Sequence, residues 1–250
     1  LFWYNAFVIL SNGSDSKIGT ISSGWEHFTD WKRIADESEE GLVSLETMLK
    51  GTCEPTKLLD MIECFSIYMN VQDGTIKILA KNHQYLGVNK AFMRFKNGEI
   101  TNGQAGVFWH TQGSGKSISM IMFSQKILRK IPGNWSFVIV TDRTELDSQI
   151  SKNFKDSGCI RDTHSRAESA SDLRQLLTEN HRYVFTLIQK FRADEPGRVH
   201  PTLSEREDII VIVDEAHRSQ YDVFALNMRT ALPNAHFMAF TGTPLIAGEG

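Results

Sequence analysis

From about residue 71 onward, short apolar runs alternate with longer stretches of helical periodicity. The clearest run, Ile209-Ile210-Val211-Ile212-Val213, consists of β-branched residues only and predicts a strand buried on both faces, as in a parallel sheet. Similar runs lie at 106–109, 137–140, 183–186 and 237–240. Strands that alternate with helices predict an α/β fold, in which helices cover both faces of a parallel sheet.

The first 70 residues follow a different pattern. Turn-forming residues at 11–15 separate two apolar runs and predict a hairpin. An acidic stretch at 36–41 comes next, and then two segments have apolar residues at helical spacing. The first segment contains Leu42, Leu45, Met48 and Leu49, and the second contains Leu58, Leu59, Ile62 and Phe65. We interpret 1–70 as α+β connecting structure and 71–250 as the domain that carries the chemistry.

The composition indicates an ordinary globular protein but does not indicate its function. Hydrophobic residues make up 41% and charged residues 23%, as in ordinary globular proteins. The net charge of −3 gives no overall nucleic-acid signature, so contacts with DNA must be local or come from other parts. Cys53, Cys64 and Cys159 lack metal-ligand spacing and indicate a reducing, cytoplasmic compartment. No apolar run approaches the roughly 18 residues of a membrane span, so we expect no membrane partner.

The apolar start of the chain, at 2–10, is not typical of a signal peptide. It has no initiator Met, no basic segment and no small-residue cleavage site. We therefore expect the chain to begin within a longer protein.

A glycine-rich segment joins the apolar run at 106–109 to a helical run at 118–128. The segment, called the P-loop below, is His110-Thr111-Gln112-Gly113-Ser114-Gly115-Lys116-Ser117. Backbone N–H groups of such a turn bind phosphate oxygens, and the helix dipole favours negative charge. Lys116 would reach the β- and γ-phosphates, and the Ser117 hydroxyl would hold Mg²⁺. His110 stands where the usual pattern has glycine. On the short segment alone, a Gly/Ser surface loop before a lysine explains the residues equally well.

Two acids, Asp214 and Glu215, directly follow the buried run at 209–213. Open α/β sheets bind ligands at the carboxyl ends of their strands, where one carboxylate can hold Mg²⁺ and the next can accept a proton from the attacking water. We therefore expect ATP and Mg²⁺ as cofactors, with Lys116, Asp214 and Glu215 catalytic and with Ser117 and Asp214 at the metal. A solvated Asp-Glu pair at a helix start is the alternative, but it explains poorly why the acids end a fully apolar strand.

A third motif completes the set. The apolar run at 236–240 ends in Thr241-Gly242-Thr243-Pro244. Together with the P-loop and Asp214-Glu215-Ala216-His217, it resembles motifs I, II and III of superfamily 2 helicases and translocases, with DEAH as motif II. That superfamily accepts other residues at the first position of motif I, which accommodates His110. The resemblance implies a RecA-like P-loop NTPase lobe in which His217, Thr241, Gly242 and Thr243 couple hydrolysis to DNA.

Further segments resemble the R subunit of type I restriction–modification enzymes. They lie in the family's order at 1–13, 17–20, 28–32, 82–85, 89–91, 140–147 and 186–191. The resemblance implies that 1–70 is the end of a nuclease domain with a helical linker, and that 71–250 is the first of two RecA-like motor lobes. It also implies ATP-driven translocation of double-stranded DNA before cleavage, with specificity and methyltransferase subunits as partners.

Two other functions stay open at this point. The chain could belong to another superfamily 2 helicase, such as a type III restriction subunit, or it could be a nucleotide-regulated binding module without a motor. The second RecA-like lobe, its arginine finger and the nuclease residues are not found in these 250 residues. We therefore expect this piece alone to bind ATP weakly and to hydrolyse it hardly at all.

The R-subunit resemblance also assigns residues outside the three motifs. Gln84 lies about 32 residues before Lys116, where the family's adenine-reading glutamine falls. Its amide can donate to and accept from adenine, although an exposed helical glutamine is the alternative. Thr141 and Arg143 correspond to motif Ia and Thr186 to a companion element, both of which hold DNA phosphates. Simple strand-to-helix caps are the alternative for these three residues.

Overall fold

The computed structural model describes residues 4–111, 113–160, 166–179, 181–191, 200–214 and 221–242, with side chains of 221–224 left aside. Its strands are β1 (Val8–Ser11), β2 (Ser16–Gly19), β3 (Thr29–Asp30), β4 (Ser66–Val71), β5 (Gly74–Leu79), β6 (Gln104–Trp109), β7 (Ser136–Thr141), β8 (Tyr183–Leu187), β9 (Ile209–Asp214) and β10 (His236–Thr241). Its α-helices are α1 (Leu45–Thr52), α2 (Pro55–Cys64), α3 (Asn82–Lys96), α4 (Lys116–Lys130), α5 (Thr144–Asp156), α6 (Ala170–Thr178) and α7 (Tyr221–Ala231). Short 3-10 helices lie at Trp25–His27 and Ile188–Phe191.

Strands β6 to β10 form one parallel sheet in the order β6-β10-β9-β7-β8. Every residue of β7 and β9 is buried, which confirms the prediction made from the β-branched run. All four neighbouring pairs in this sheet are parallel, so the five strands point in the same direction. The carboxyl ends of all five strands therefore lie on one side of the sheet, and the predicted site residues Thr141, Asp214 and Thr241 are the last residues of β7, β9 and β10.

The sheet is covered on both faces. Consecutive residues of β9 alternate between two hydrophobic clusters, with Ile210 and Ile212 in one and Val211 and Val213 in the other. The first cluster includes residues of α3, α4 and α5, and the second includes residues of α6 and α7. The expected α/β fold, with helices on both faces of a parallel sheet, is thereby confirmed.

The N-terminal region contains the predicted hairpin and helices. β1 and β2 pair antiparallel across a turn in which Gly13 has a φ of 96°. The Oδ1 atom of Asn12 accepts hydrogen bonds from the backbone N–H groups of Ser14 and Asp15, an arrangement typical of Asx turns. The two predicted helices are present as α1 and α2.

The hydrophobic core continues from the N-terminal region into the sheet layer. Trp31, Met61 and Phe65 are fully buried in the same cluster as Phe123 of α4. The antiparallel hairpin formed by β4 and β5 extends across the predicted division at residue 70. The division into 1–70 and 71–250 stays a prediction, but the two segments share one core.

A buried lysine joins α2, α3 and α4. Lys126 of α4 is 4% exposed, and its Nζ lies 2.6 Å from both carboxylate oxygens of Asp60 and 2.5 Å from Oδ1 of Asn89. The same Nζ lies 4.8 Å and 5.0 Å from the ring centroids of Phe65 and Phe92. We call this group the Lys126 cluster. Its contacts fix the C-terminal half of α4 against the preceding helices.

The last turn of α4 makes further contacts with α2. Arg129 donates to the carbonyl oxygen of Glu63, and Lys130 Nζ lies 2.5 Å from Glu63 Oε2. The basic residues of this helix end therefore bind α2. None of the described helices is long and apolar enough to cross a membrane.

Candidate nucleotide-binding site

The loop between β6 and α4 has the geometry expected of a phosphate-binding turn. Gly113 and Gly115 have φ values of 79° and 89°, in the left-handed region that favours glycine. Gly115 is the N-cap residue of α4, so Lys116 and Ser117 lie in the first turn. In a glycine turn that leads into a helix N-terminus, the backbone N–H groups and the positive end of the helix dipole point to the same position, where an anion can bind. Gln112 lies outside the described residues.

A buried hydroxyl marks the interior of the loop. The backbone N–H of Ser114 donates to the carbonyl oxygen of Thr111 at 3.1 Å, which closes the turn. Within the described part of the chain, Ser114 Oγ is buried and has no hydrogen-bond partner. Buried hydroxyls are normally satisfied, and an unsatisfied one is costly. A phosphate oxygen in the loop would supply the missing partner, so the loop fits the phosphates of a nucleotide.

Gln84 connects the start of α3 to the P-loop. Its side chain is buried at 3% exposure, so the alternative of an exposed helical glutamine does not hold. Oε1 accepts from the backbone N–H of Lys81 at 2.9 Å, and Nε2 donates to the carbonyl oxygen of Gly115 at 3.1 Å. A Cβ added at Gly115 would lie 2.8 Å from the same Nε2. Adenine reading stays a prediction, and the structure adds a contact that positions the loop.

Two histidines pack beside the loop. The rings of His83 and His110 have centroids 4.6 Å apart, and the His110 ring lies 4.4 Å from that of Phe108. Burial, and then the nearby His83, lower the pKa of His110 to about 4, while burial also lowers the pKa of His83. Both rings are therefore neutral at pH 7. The His110 side chain occupies an aromatic environment, which the motif comparison alone did not reveal.

A cavity of about 620 Å³ lies next to these histidines, between α3 and β6. Its volume falls within the range of small-molecule sites, about 300–1,000 Å³. Lining residues include His83, Lys90, Trp109, Thr111 and Ser114. The cavity thus adjoins the P-loop and has room for the part of a nucleotide that extends beyond the phosphates.

The ends of β9 and β10 lie near the P-loop. Asp214 is the last residue of β9, is buried and pairs in register with Phe240 of β10. The backbone N–H of His110 donates to the carbonyl oxygen of Thr241 at 3.0 Å, and Trp109 Nε1 donates to that of Gly242 at 3.4 Å. The structure therefore brings motif III next to motif I. Glu215, His217 and Thr243 lie outside the described residues.

Metal coordination by Ser117 and Asp214 stays a prediction. Among the described residues, no three His, Cys, Asp or Glu side chains form a group that could hold a metal. The predicted ligands, Ser117 and Asp214, are one hydroxyl and one carboxylate, so they do not form a group of that kind. Mg²⁺ is commonly bound by one or two protein oxygens together with phosphates and waters. The residues present therefore fit Mg²⁺ that arrives with a nucleotide.

Ser117 has a partner that the sequence did not predict. Its Oγ accepts a hydrogen bond of 3.0 Å from Nδ2 of Asn153, near the C-terminal end of α5. Asn153 belongs to no motif and lies 36 residues along the chain. No local sequence signal could have found this contact, because it arises from the packing of α5 on α4.

The predicted DNA-contacting residues lie at the ends of two neighbouring strands. Thr141 of β7 and Thr186 of β8 are buried, and their hydroxyls donate to nearby carbonyl oxygens at 3.5 Å and 3.4 Å. The Arg143 side chain, in contrast, is 55% exposed. Gln189 Nε2 donates to the carbonyl oxygen of Asp142 at 3.0 Å, which joins the loops after β7 and β8. Of these side chains, only that of Arg143 is both exposed and positively charged, and DNA contact stays a prediction.

Comparison with known proteins finds similar sequences along the chain. A family model described as SWI2/SNF2 ATPase matches residues 83–250. The type I restriction enzyme HindI endonuclease subunit of Haemophilus influenzae is 40% identical over 268 residues, which cover 98% of this chain and 25% of the relative. The type I restriction enzyme SauMSSORF170P endonuclease subunit of Staphylococcus aureus is 26% identical over 250 residues, which cover 98% and 26%. The resemblance drawn from the sequence is confirmed.

The chain spans about a quarter of the length of these curated relatives. Among solved structures, the UvsW helicase from bacteriophage T4 matches with a TM-score of 0.51 and 12% identity, over 76% of this chain and 60% of that chain. At this identity the likeness concerns the fold alone, and it supports a RecA-like lobe.

Proposed function

Because this chain belongs to the SWI2/SNF2 ATPase family, we propose that it forms the ATP-binding first motor lobe of a type I restriction enzyme endonuclease subunit. The observation that carries the proposal is the P-loop, where a glycine turn, a helix N-terminus and the buried Ser114 hydroxyl converge. The relatives that cover nearly the whole of this chain are endonuclease subunits of such enzymes.

The proposal assigns a role to each group of site residues. Lys116 neutralises charge at the β- and γ-phosphates, and Ser117 and Asp214 hold Mg²⁺. A bound Mg²⁺ would polarise the phosphoryl oxygens. Glu215 accepts the proton of the attacking water, and Gln84 reads adenine. His217, Thr241, Gly242 and Thr243 couple hydrolysis to DNA, together with Thr141, Arg143 and Thr186.

The intact protein would use this lobe to translocate double-stranded DNA in an ATP-dependent manner before cleavage. Its partners would be the specificity and methyltransferase subunits of a type I restriction complex, in the cytoplasm. Sequence specificity would not come from this lobe, because contacts to phosphates position a protein on DNA without reading bases. The net charge of −3 agrees with a DNA contact that is confined to one edge.

Nucleotide binding by a Lys116→Ala variant tests the proposal. We expect ATP–Mg²⁺ affinity, measured by titration calorimetry, to fall by about tenfold or more, because a charge-assisted contact contributes roughly 1.5–3 kcal/mol. Lys152→Ala is the matched control, since the Lys152 side chain is 72% exposed and binds only Asp156 within the described residues. Equal affinity of parent and Lys116→Ala would refute a phosphate-binding role for this loop.

A further inference from the structure

We propose that Asn153 is a positioning residue that holds the Ser117 hydroxyl in the orientation that binds Mg²⁺. The inference rests on the proposed function and deepens it, because it assigns a partner to the metal-binding side chain. Asn153 Nδ2 donates to Ser117 Oγ at 3.0 Å, and both side chains are partly buried. Ser117 lies in the first turn of α4, so this contact is made at the P-loop itself.

Packing of α5 fixes the position of Asn153. Ile150 and Phe154, on either side of it in the helix, are buried in the same cluster as residues of α4. The Phe154 ring lies 5.3 Å from that of Tyr183 and 5.4 Å from that of Phe185, centroid to centroid. Since these anchors belong to the core of the sheet, the amide of Asn153 is presented to Ser117 by a rigid surface.

The hydrogen-bonding capacity of a hydroxyl allows the two contacts to coexist. A serine hydroxyl has one donor hydrogen and two acceptor lone pairs. The N–H of Asn153 occupies one lone pair, so the other remains for Mg²⁺ and the hydrogen can be donated elsewhere. Mg²⁺ demands near-ideal octahedral geometry at 2.0–2.1 Å. A hydroxyl already held in one rotamer meets that demand with less loss of freedom than a rotating one.

The same helix begins at a predicted DNA contact. α5 starts at Thr144, directly after Arg143, whose side chain is exposed. One rigid element therefore lies between the loop proposed to hold a DNA phosphate and the hydroxyl proposed to hold Mg²⁺.

Magnesium titration of nucleotide binding tests the inference on the full-length protein. The probe is N-methylanthraniloyl-ATP, whose fluorescence is followed with increasing Mg²⁺ and, separately, in EDTA. Asn153→Ala removes the amide, and Asn153→Leu removes the donor but keeps the shape. We expect both variants to need about tenfold more Mg²⁺ for half-maximal binding, as is typical when an outer partner of a metal ligand is lost. Their binding in EDTA should equal that of the parent.

Two further variants complete the test. Lys152→Ala, one residue away on the same helix, should leave the Mg²⁺ midpoint unchanged. In a Ser117→Ala background, Asn153→Ala should have no additional effect, because the two residues act through one hydroxyl.

An unchanged Mg²⁺ midpoint in both Asn153 variants would overturn the inference. So would an equal loss of binding with Mg²⁺ and in EDTA, because that result indicates a purely structural role. If the parent protein itself shows no Mg²⁺-dependent binding, the proposed function fails and the role of Asn153 fails with it.

Discussion

Removal of the Asp60 carboxylate tests how strongly the Lys126 cluster binds α4 to α2. Asp60→Ala deletes both 2.6 Å contacts to Lys126 Nζ and leaves the ammonium with Asn89 and two aromatic rings. The Lys126 side chain is 5% exposed and that of Asp60 is 20% exposed. Because the lysine is the more deeply buried partner, the loss of the carboxylate should be more costly than the loss of the lysine.

The expected magnitude follows from these two exposures. Breaking a buried ion pair by removing one partner costs about 3–5 kcal/mol. Asn89 and the rings retain part of the stabilisation, so we expect about 3 kcal/mol for Asp60→Ala. For a chain of this size each kcal/mol shifts the melting temperature by about 2–4 °C, which gives a fall of about 6–12 °C. Lys126→Met fills similar space with an apolar side chain and leaves Asp60 in contact with water, so its cost should be about 1 kcal/mol.

Thermal unfolding followed by circular dichroism measures these differences in the parent, both single variants and the double variant. The double variant should be more stable than Asp60→Ala alone, because the uncompensated ammonium is gone. Glu63→Ala is the matched control. It breaks a pair between the same two helices in which Lys130 is 37% and Glu63 45% exposed, and such pairs contribute about 0–1 kcal/mol. If Asp60→Ala is no more destabilising than Glu63→Ala, the cluster does not hold the helices together.

Three further outcomes are expected. Burial lowers the pKa of His110 to about 4 from a usual value near 6.5, so the unfolded chain binds more protons between these pH values and stability should fall as pH drops through this window. The difference between the urea midpoints at pH 7 and pH 5 should be smaller in His110→Gln than in the parent, and part of it should remain because burial also lowers the pKa of His83. An unchanged difference would contradict the role of His110. Gly115→Ala should lower the free energy of unfolding in urea more than Gly113→Ala does. Both positions have a left-handed φ, but only a Cβ at residue 115 would displace the Gln84 side chain. Equal losses of stability in the two variants would contradict the contact between Gln84 and Gly115. Glu215→Gln in the full-length protein should bind ATP normally in calorimetry yet lose phosphate release, and parental turnover would remove Glu215 from the mechanism.

The strands of the sheet and the P-loop could be predicted because their signals are local. β9 is a run of β-branched residues, and the glycines of the P-loop adopt the left-handed φ values that such a turn needs. The helix α6 was missed, although Ser169 and Asp172 form a capping box that is visible in the sequence.

The polar contacts around the site could not be predicted from the sequence. Lys126 and Asp60 are separated by 66 residues, and Asn153 and Ser117 by 36. Pairings of this kind depend on how helices cross, and no periodicity encodes the partner of a single polar side chain. Gln84 could be singled out from the sequence by its position before the P-loop. Its hydrogen bonds to the backbone of Lys81 and Gly115 could not be predicted.

The attachment of α4 at both ends has a mechanical consequence. Its first turn contains Lys116 and Ser117 of the P-loop, and Lys126 lies ten residues after Lys116, about 15 Å along the axis. A helix of this length is stiff. A change in the tilt of α4 at its N-terminal end, next to the P-loop, therefore also moves the C-terminal half that contacts α2. The P-loop and α2 are therefore expected to move together as a rigid body. A rotation of the P-loop relative to α2 would therefore require the contacts of Lys126 with Asp60 to break.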